Sequence, residues 1–320
     1  MKKAVSLSKK IIPLFIGVFF IYLSYQNTTL EDRQNIFKYI KNADYRFVFL
    51  SAFFGILSHL SRAVRWKYLL APLGYRPKTI NSILAVLIGY FSNLGIPRSG
   101  ELLRATAMDR YENIPFQKGF GTVIAERVVD LILLLLCILL ALGLQYDLIA
   151  EYLNLKGLNF FQTGLSLIIL AIVFFFCRKF FLQSTHPITE KIKKFLQGIW
   201  EGMISIKYMK NKGLFIAHTL FIWTMYVLMF WIIKFSIPET VGLGINALIP
   251  AFVVGGLSIS ATNGGIGIYP YSVSLVLIAF GISKESGLAF GWIMWTCQTL
   301  MVVTFGAMAF FALPLVNRQK

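Results

Sequence analysis

Two short stretches of an otherwise apolar chain gather the residues that could do chemistry. NLGIPRSGELLRA (93–105) carries Arg98, Glu101 and Arg104, and AERVVD (125–130) carries Glu126, Arg127 and Asp130. Glu126 and Asp130 stand four apart, and Arg127 and Asp130 three apart, so on a helix each pair has neighbouring side chains. Three acids and three arginines can neutralise one another and still leave guanidinium N–H groups for a phosphate, the anion whose geometry Arg matches best.

Such a site needs a break in the chain beside it. Asn93 and Gly95 favour a turn, and Pro97 drives Ile96 away from helical backbone. Ser99 can then cap a new helix whose first amides, with Gly100, face the turn. Together with Arg98 and Arg104, those amides would bind phosphate. Taken alone, the same residues also describe an ordinary cytoplasmic loop with solvated charges. The second stretch shifts the balance, because ionisable groups inside a membrane helix mark a polar pathway or a paired interior. Interior pairing of Glu126 and Asp130 with Arg98, Glu101 or Arg104 is expected, and snorkelling to the headgroups is the alternative. RAVRWKYLL (62–70) adds Arg62 and Arg65 one turn apart, beside Trp66. These read first as a basic flank with an aromatic anchor, and second as further phosphate ligands.

The elements that must hold these residues are membrane helices. The 320 residues are 57% hydrophobic and 14% charged, with mean hydropathy +0.69; soluble domains carry about 25% charged residues. The net charge of +17 sits in short loops between apolar runs, where it sets topology and meets anionic lipid rather than nucleic acid. Expected crossings are 11–25, 47–70, 117–145, 160–177, 213–235 and 287–315, with interrupted pieces at 79–96 and 246–281. The basic start, the 62–78 segment, the 178–212 segment and the tail all belong inside by the positive-inside rule. Parity then makes 79–96 re-entrant, and 246–281 either a re-entrant hairpin or two short spans. The expected fold is all-α and polytopic, with six to eight transmembrane helices in a single domain over 1–320. It would sit in a bacterial-type cytoplasmic (inner) membrane with both termini cytoplasmic.

Crossing, broken piece and crossing occur twice in opposite orientation, over roughly 47–145 and 213–315, the pattern of inverted-repeat transporters. The second break, SATNGGIGIYPYSVSL, supplies Asn263, Gly264, Gly265 and Gly267, with Pro270 suited to the first turn of the next helix. Roughly 188–210 forms an interfacial amphipathic helix, with Ile188, Ile192, Leu196, Ile199, Trp200 and Met203 on one face. Cys137, Cys177 and Cys297 lack metal or disulfide spacing and His59, His186 and His218 are scattered, so no metal and no cofactor is expected.

RAVRWKYLL, IGYFSNLGIPRSGELLRA, GTVIAERVVDL and NGGIG, in that order, resemble the lysylphosphatidylglycerol synthase transmembrane-region family over about 11–315. That family is similar to the flippase region of the multiple peptide resistance factor, and has stand-alone members and parts fused to glycosyltransferases. The resemblance implies a functional core of Pro97, Arg98, Gly100, Glu101, Arg104, Glu126, Arg127 and Asp130. It also departs from the family, since Pro270 stands where a Glu often follows the Gly-Gly-x-Gly turn. With the chain ending at Lys320, no synthesis of lysyl-lipid is expected. The leading expectation is a lipid flippase-like protein moving a phospholipid or polyprenyl-phosphate-linked lipid between leaflets. Arg62, Arg65, Arg98, Arg104 and Arg127 would meet phosphate; Glu101, Glu126 and Asp130 would balance charge or couple. The alternative is a membrane-embedded accessory subunit or transferase acting on lipid headgroups with a glycosyltransferase or lipid-modifying partner; no hydrolase, metalloprotease or P-loop motif supports catalysis by the chain itself. A purely structural or assembly role is a third option.

Overall fold

The computed structural model describes residues 22, 26, 28–96, 98–145, 187–262 and 264–318. The expected crossing at 160–177, nearly all of that at 11–25, and the turn residues Pro97 and Asn263 lie outside the described residues. Among the described residues the fold is all-helical, without strands. Its helices are α1 (Leu30–Lys41), α2 (Tyr45–Leu70), α3 (Thr79–Gly95), α4 (Ser99–Glu112), α5 (Phe116–Leu144), α6 (Pro187–Ile204), α7 (Lys212–Ile232), α8 (Ile245–Ala261), α9 (Ile268–Ala279) and α10 (Lys284–Val316).

Local chemistry sets several of these boundaries. A capping box opens α1, with Thr29 accepting from the Asp32 amide and Asp32 accepting from that of Thr29. Asp44 caps α2 and Ser283 caps α10. The helices α2, α5, α7 and α10, with the 3-10 turns that extend α2 and α7, are long and apolar enough to cross a membrane, and α3, α8 and α9 are shorter apolar helices. Along α5, Leu131, Leu135, Leu136, Leu139 and Leu140 are exposed, a stripe that suits hydrocarbon rather than water.

Two corners organise the molecule. At each, a short helix folds back on the one before it: α4 on α3, and α9 on α8. The α8–α9 turn has Gly264, Gly265 and Gly267 at φ of 70°, 76° and 70°, the left-handed region that glycine enters without penalty. The α3–α4 corner differs from expectation. Asn93 and Gly95 are still helical, and the turn itself holds Ile96 in extended backbone and Arg98 at φ 61°. Asn93 stays in the helix because its side-chain oxygen accepts the Gly100 amide at 2.7 Å, bracing the corner from within. Ser99 does not cap α4; its hydroxyl donates back to the carbonyls of Ile96 and Ser92, and Arg98 is the N-cap residue. Gly100 lies in the first turn of α4 rather than in the loop. A Cβ there would sit 2.0 Å from the Gly89 carbonyl oxygen, so the two helices cross backbone to backbone.

The remaining helices fasten this frame. The helix α7 lies along α2, and α10 packs against α3, α9 and α1. Asn81 and Asn317 exchange side-chain hydrogen bonds of 2.9 and 3.1 Å where α10 ends beside the start of α3. At the opposite end of α10, Glu239 accepts from the Ser283 amide and hydroxyl and from the Ser286 hydroxyl. The expected amphipathic helix runs only to Ile204 and is seated on α5. A Cβ on Gly121 would fall 2.9 Å from the Gly202 Cα, so the two helices meet at glycines, and Leu196 and Trp200 stay exposed.

Candidate functional site

The acidic motif lies deep in α5. At about 1.5 Å rise per residue, Glu126 is about 15 Å and Asp130 about 21 Å from the start of a helix about 43 Å long. Both are buried, Glu126 completely and Asp130 at 8% exposure. Three arginines enclose them. Arg62 donates to Glu126 and to Asp130 at 2.5 Å each, Arg65 reaches Asp130 at 3.0 Å, and Arg104 reaches Glu126 at 3.1 Å. Interior pairing is what the helical spacing anticipated, and snorkelling does not occur.

Of the anticipated partners only Arg104 is in this buried group; the other two arginines were not anticipated there. Arg62 and Arg65, first read as a basic flank, are 2% and 0% exposed. The reason is the stripe they occupy: Ser58, His59, Arg62, Arg65 and Trp66 share the buried face of α2, turned toward α5 and α7. Trp66 is no interfacial anchor. It is fully buried, donates to Thr122 at 2.9 Å, and carries the Arg104 guanidinium 4.3 Å above its ring. Arg65 donates to Thr219, and Arg62 to Tyr226. Arg104 joins this cluster through Glu126, as its expected interior pairing requires, while Arg98 stays exposed at the corner.

Three guanidiniums against two carboxylates leave a formal +1 in the buried group. Removing either acid from such a cluster strands desolvated cations, which costs about 3–5 kcal/mol.

A second group faces outward. Arg127 pairs with Glu101 at 2.9 Å and is 40% exposed at its side chain, and Arg98 is exposed at the corner. These three residues line two openings at once. One is a groove of about 540 Å³ walled by Leu102, Phe120, Val123 and Ile124. The other is a polar cavity of about 340 Å³ that also meets Tyr90, Asn93, Thr262, Gly264 and Gln298. A smaller cavity of about 230 Å³ adjoins it, sharing Ile259, Ser260 and Gln298 and reaching His59, Trp223 and Tyr226. The Tyr90 and Tyr226 hydroxyls, 3.0 Å apart, connect the wall of these cavities to Arg62. Of the second corner, Gly264 lines the polar cavity, while Gly265 is buried against Ile259 and Tyr269 and Gly267 caps α9.

Sequence reasoning missed His59, Tyr90, Thr122, Thr219 and Tyr226. Their signal was present as polar stripes on apolar helices: 122, 126 and 130 on α5, 59, 62 and 66 on α2, and 219 and 226 on α7.

The family model described as "Lysylphosphatidylglycerol synthase TM region" matches residues 10–306. The chain is 27% identical over 320 residues to UPF0104 membrane protein MJ1595 of Methanocaldococcus jannaschii, covering 95% of this chain and 86% of that protein. It is 26% identical over 185 residues to UPF0104 membrane protein PH1989 of Pyrococcus horikoshii, covering 57% and 52%. Over 106 residues it is 32% identical to Glycosyltransferase AglD of Haloferax volcanii, which is 33% of this chain and 17% of that protein. No solved structure matches. The buried Arg–Glu–Asp cluster and its helical frame are thus those of a multi-pass membrane protein that belongs to the lysylphosphatidylglycerol synthase TM region family.

Proposed function

We propose that this protein moves a phosphate-bearing lipid between the two leaflets. The observation that carries the reading is the double exposure of Arg98, Glu101 and Arg127, which line both the apolar groove and the polar cavity. Lipid tails rest against Leu102, Phe120 and Ile124 in the groove while the phosphate meets Arg98 and Arg127 at the threshold. Charge balance favours an anion there, because the buried cluster behind it has one more cation than acid. Arg62, Arg65 and Arg104 hold Glu126 and Asp130 and act as a fixed positive background rather than as direct ligands.

The two halves of the chain support alternating access. Long helix, two-helix corner and long helix recur as α2–α5 and as α7–α10, and both first corner helices have 17 residues. On this reading the halves are inverted repeats of one membrane domain, in an inner membrane with both termini cytoplasmic.

The test is leaflet exchange of fluorescent anionic lipids in proteoliposomes. Arg98→Ala is expected to slow exchange about tenfold, equivalent to about 1.4 kcal/mol of lost phosphate interaction. Wild-type exchange no faster than that of the variant, for every lipid tried, rejects translocation. One observation favours a second reading: the partial likeness to a glycosyltransferase fits an accessory subunit that presents a lipid headgroup to such an enzyme.

A further inference from the structure

Two buried nitrogens on the wall of the smaller cavity have no hydrogen-bond partner among the described residues: Nε2 of His59 and the indole Nε1 of Trp223. His59 is 6% exposed. Its ring is stacked on Tyr90 with centroids 4.0 Å apart, and its Nδ1 lies 3.5 Å from the Ser58 hydroxyl. Buried polar atoms are nearly always satisfied, and an unmatched pair on one cavity calls for an oxygen-bearing occupant.

The rest of the wall says which kind. Among the described residues no Asp, Glu, Lys or Arg lines this cavity, so an ammonium would find no carboxylate and a phosphate no cation. A hydrocarbon chain would leave both nitrogens unmatched. Hydroxyl groups fit: the indole is a donor only, the imidazole nitrogen serves either way, and the Gln298 carboxamide does both. Phe230, Phe252 and Tyr269 add aromatic surface for the C–H side of a polyol. We propose that this cavity holds the uncharged, hydroxyl-bearing part of a lipid headgroup, a sugar or polyol, whose phosphate rests at Arg98 and Arg127. The assignment rests on the translocator reading for its route and names the headgroup class.

Calorimetry of the full chain in detergent, titrated with short-chain phosphatidylinositol, phosphatidic acid and phosphatidylethanolamine, measures selectivity without transport. The inositol lipid is expected to bind about tenfold more tightly than the other two, a difference of about 1.4 kcal/mol. Trp223→Phe and His59→Phe each keep a ring in place: the first removes the indole N–H and the second removes both imidazole nitrogens. Either is expected to shrink the preference to about twofold while leaving phosphatidic acid binding unchanged. Trp223 is only half-buried, so Trp223→Phe reads the effect even if His59→Phe unfolds. Equal affinities for the three lipids, or a preference intact in Trp223→Phe, overturn the proposal and leave the nitrogens to water. Leaflet exchange of the same lipids separates the two readings. Inositol preference without exchange rejects translocation alone, and exchange without preference rejects the headgroup assignment alone.

Discussion

The α3–α4 corner and the α8–α9 corner fold one helix back on another by opposite means. Residues 79–112 contain six charged side chains and residues 245–279 contain none. The first corner is braced by polar bonds from Asn93 and Ser99 and turns at an arginine in left-handed backbone. The second turns on three glycines, which enter that backbone freely. Arg98 sits where glycine would be more comfortable, and its side chain lines the threshold of the cavity. The contrast teaches that the shape of the cavity and its charge are built separately: one half supplies both, the other supplies only shape.

That separation can be broken first at its electrostatic end. Glu126→Ala leaves Arg62, Arg65 and Arg104 with Asp130 alone, and is expected to destabilise the protein by about 3–5 kcal/mol, seen as lost monodisperse protein and a lower melting temperature in detergent. A neutral result would mean that charge does not hold the α3–α4 half together. Next come the backbone crossings, one in each half. Gly100→Ala places a Cβ against the Gly89 carbonyl, and Gly291→Ala places one 2.5 Å from the Pro270 Cα. Each is expected to cost about 1–3 kcal/mol; a loss at only one would show that the halves are not built alike.

The corners themselves give smaller effects of opposite sign. Gly265→Ala should lose about 1–2 kcal/mol because its φ is 76°. Arg98→Gly should gain about 1 kcal/mol in thermal unfolding while slowing lipid exchange. Stability and exchange rising together in Arg98→Gly would remove this residue from the lipid path. The smallest effect lies in the second half, in the connection between α7 and α8. Partial burial pushes the Glu239 carboxyl up, but the Ser286 hydroxyl, the Ser283 amide and hydroxyl and the Tyr39 hydroxyl outweigh it, so its pKa falls below the ordinary value. Its contribution is therefore present above the unfolded pKa and lost as pH falls through the folded one. Glu239→Gln should flatten that acid limb of a melting-versus-pH curve, by on the order of 0.5 kcal/mol for so exposed a group.

Much of the frame was legible because local rules govern it. Apolar run lengths located the four long helices within a few residues, and the Gly-rich stretch marked the second corner. The four-residue spacing of Glu126 and Asp130 put them on one buried face. The partners were less legible. Arg62 meets acids 64 and 68 positions away, and nothing in a single helix encodes that choice; by loop charge alone, Arg62 and Arg65 resemble topology signals. Asn93 misled for a related reason. An amide that breaks a helix in isolation can end inside one when a distant N–H, here that of Gly100, satisfies it.

The clasp between Asn81 and Asn317 and the Glu239 anchor hold α10 near its two ends. A rod fixed at both tips cannot slide lengthwise without breaking one fastening, yet it can roll. On the translocator reading proposed above, widening of a passage between the halves would be a pivot about α10, not a piston stroke along it.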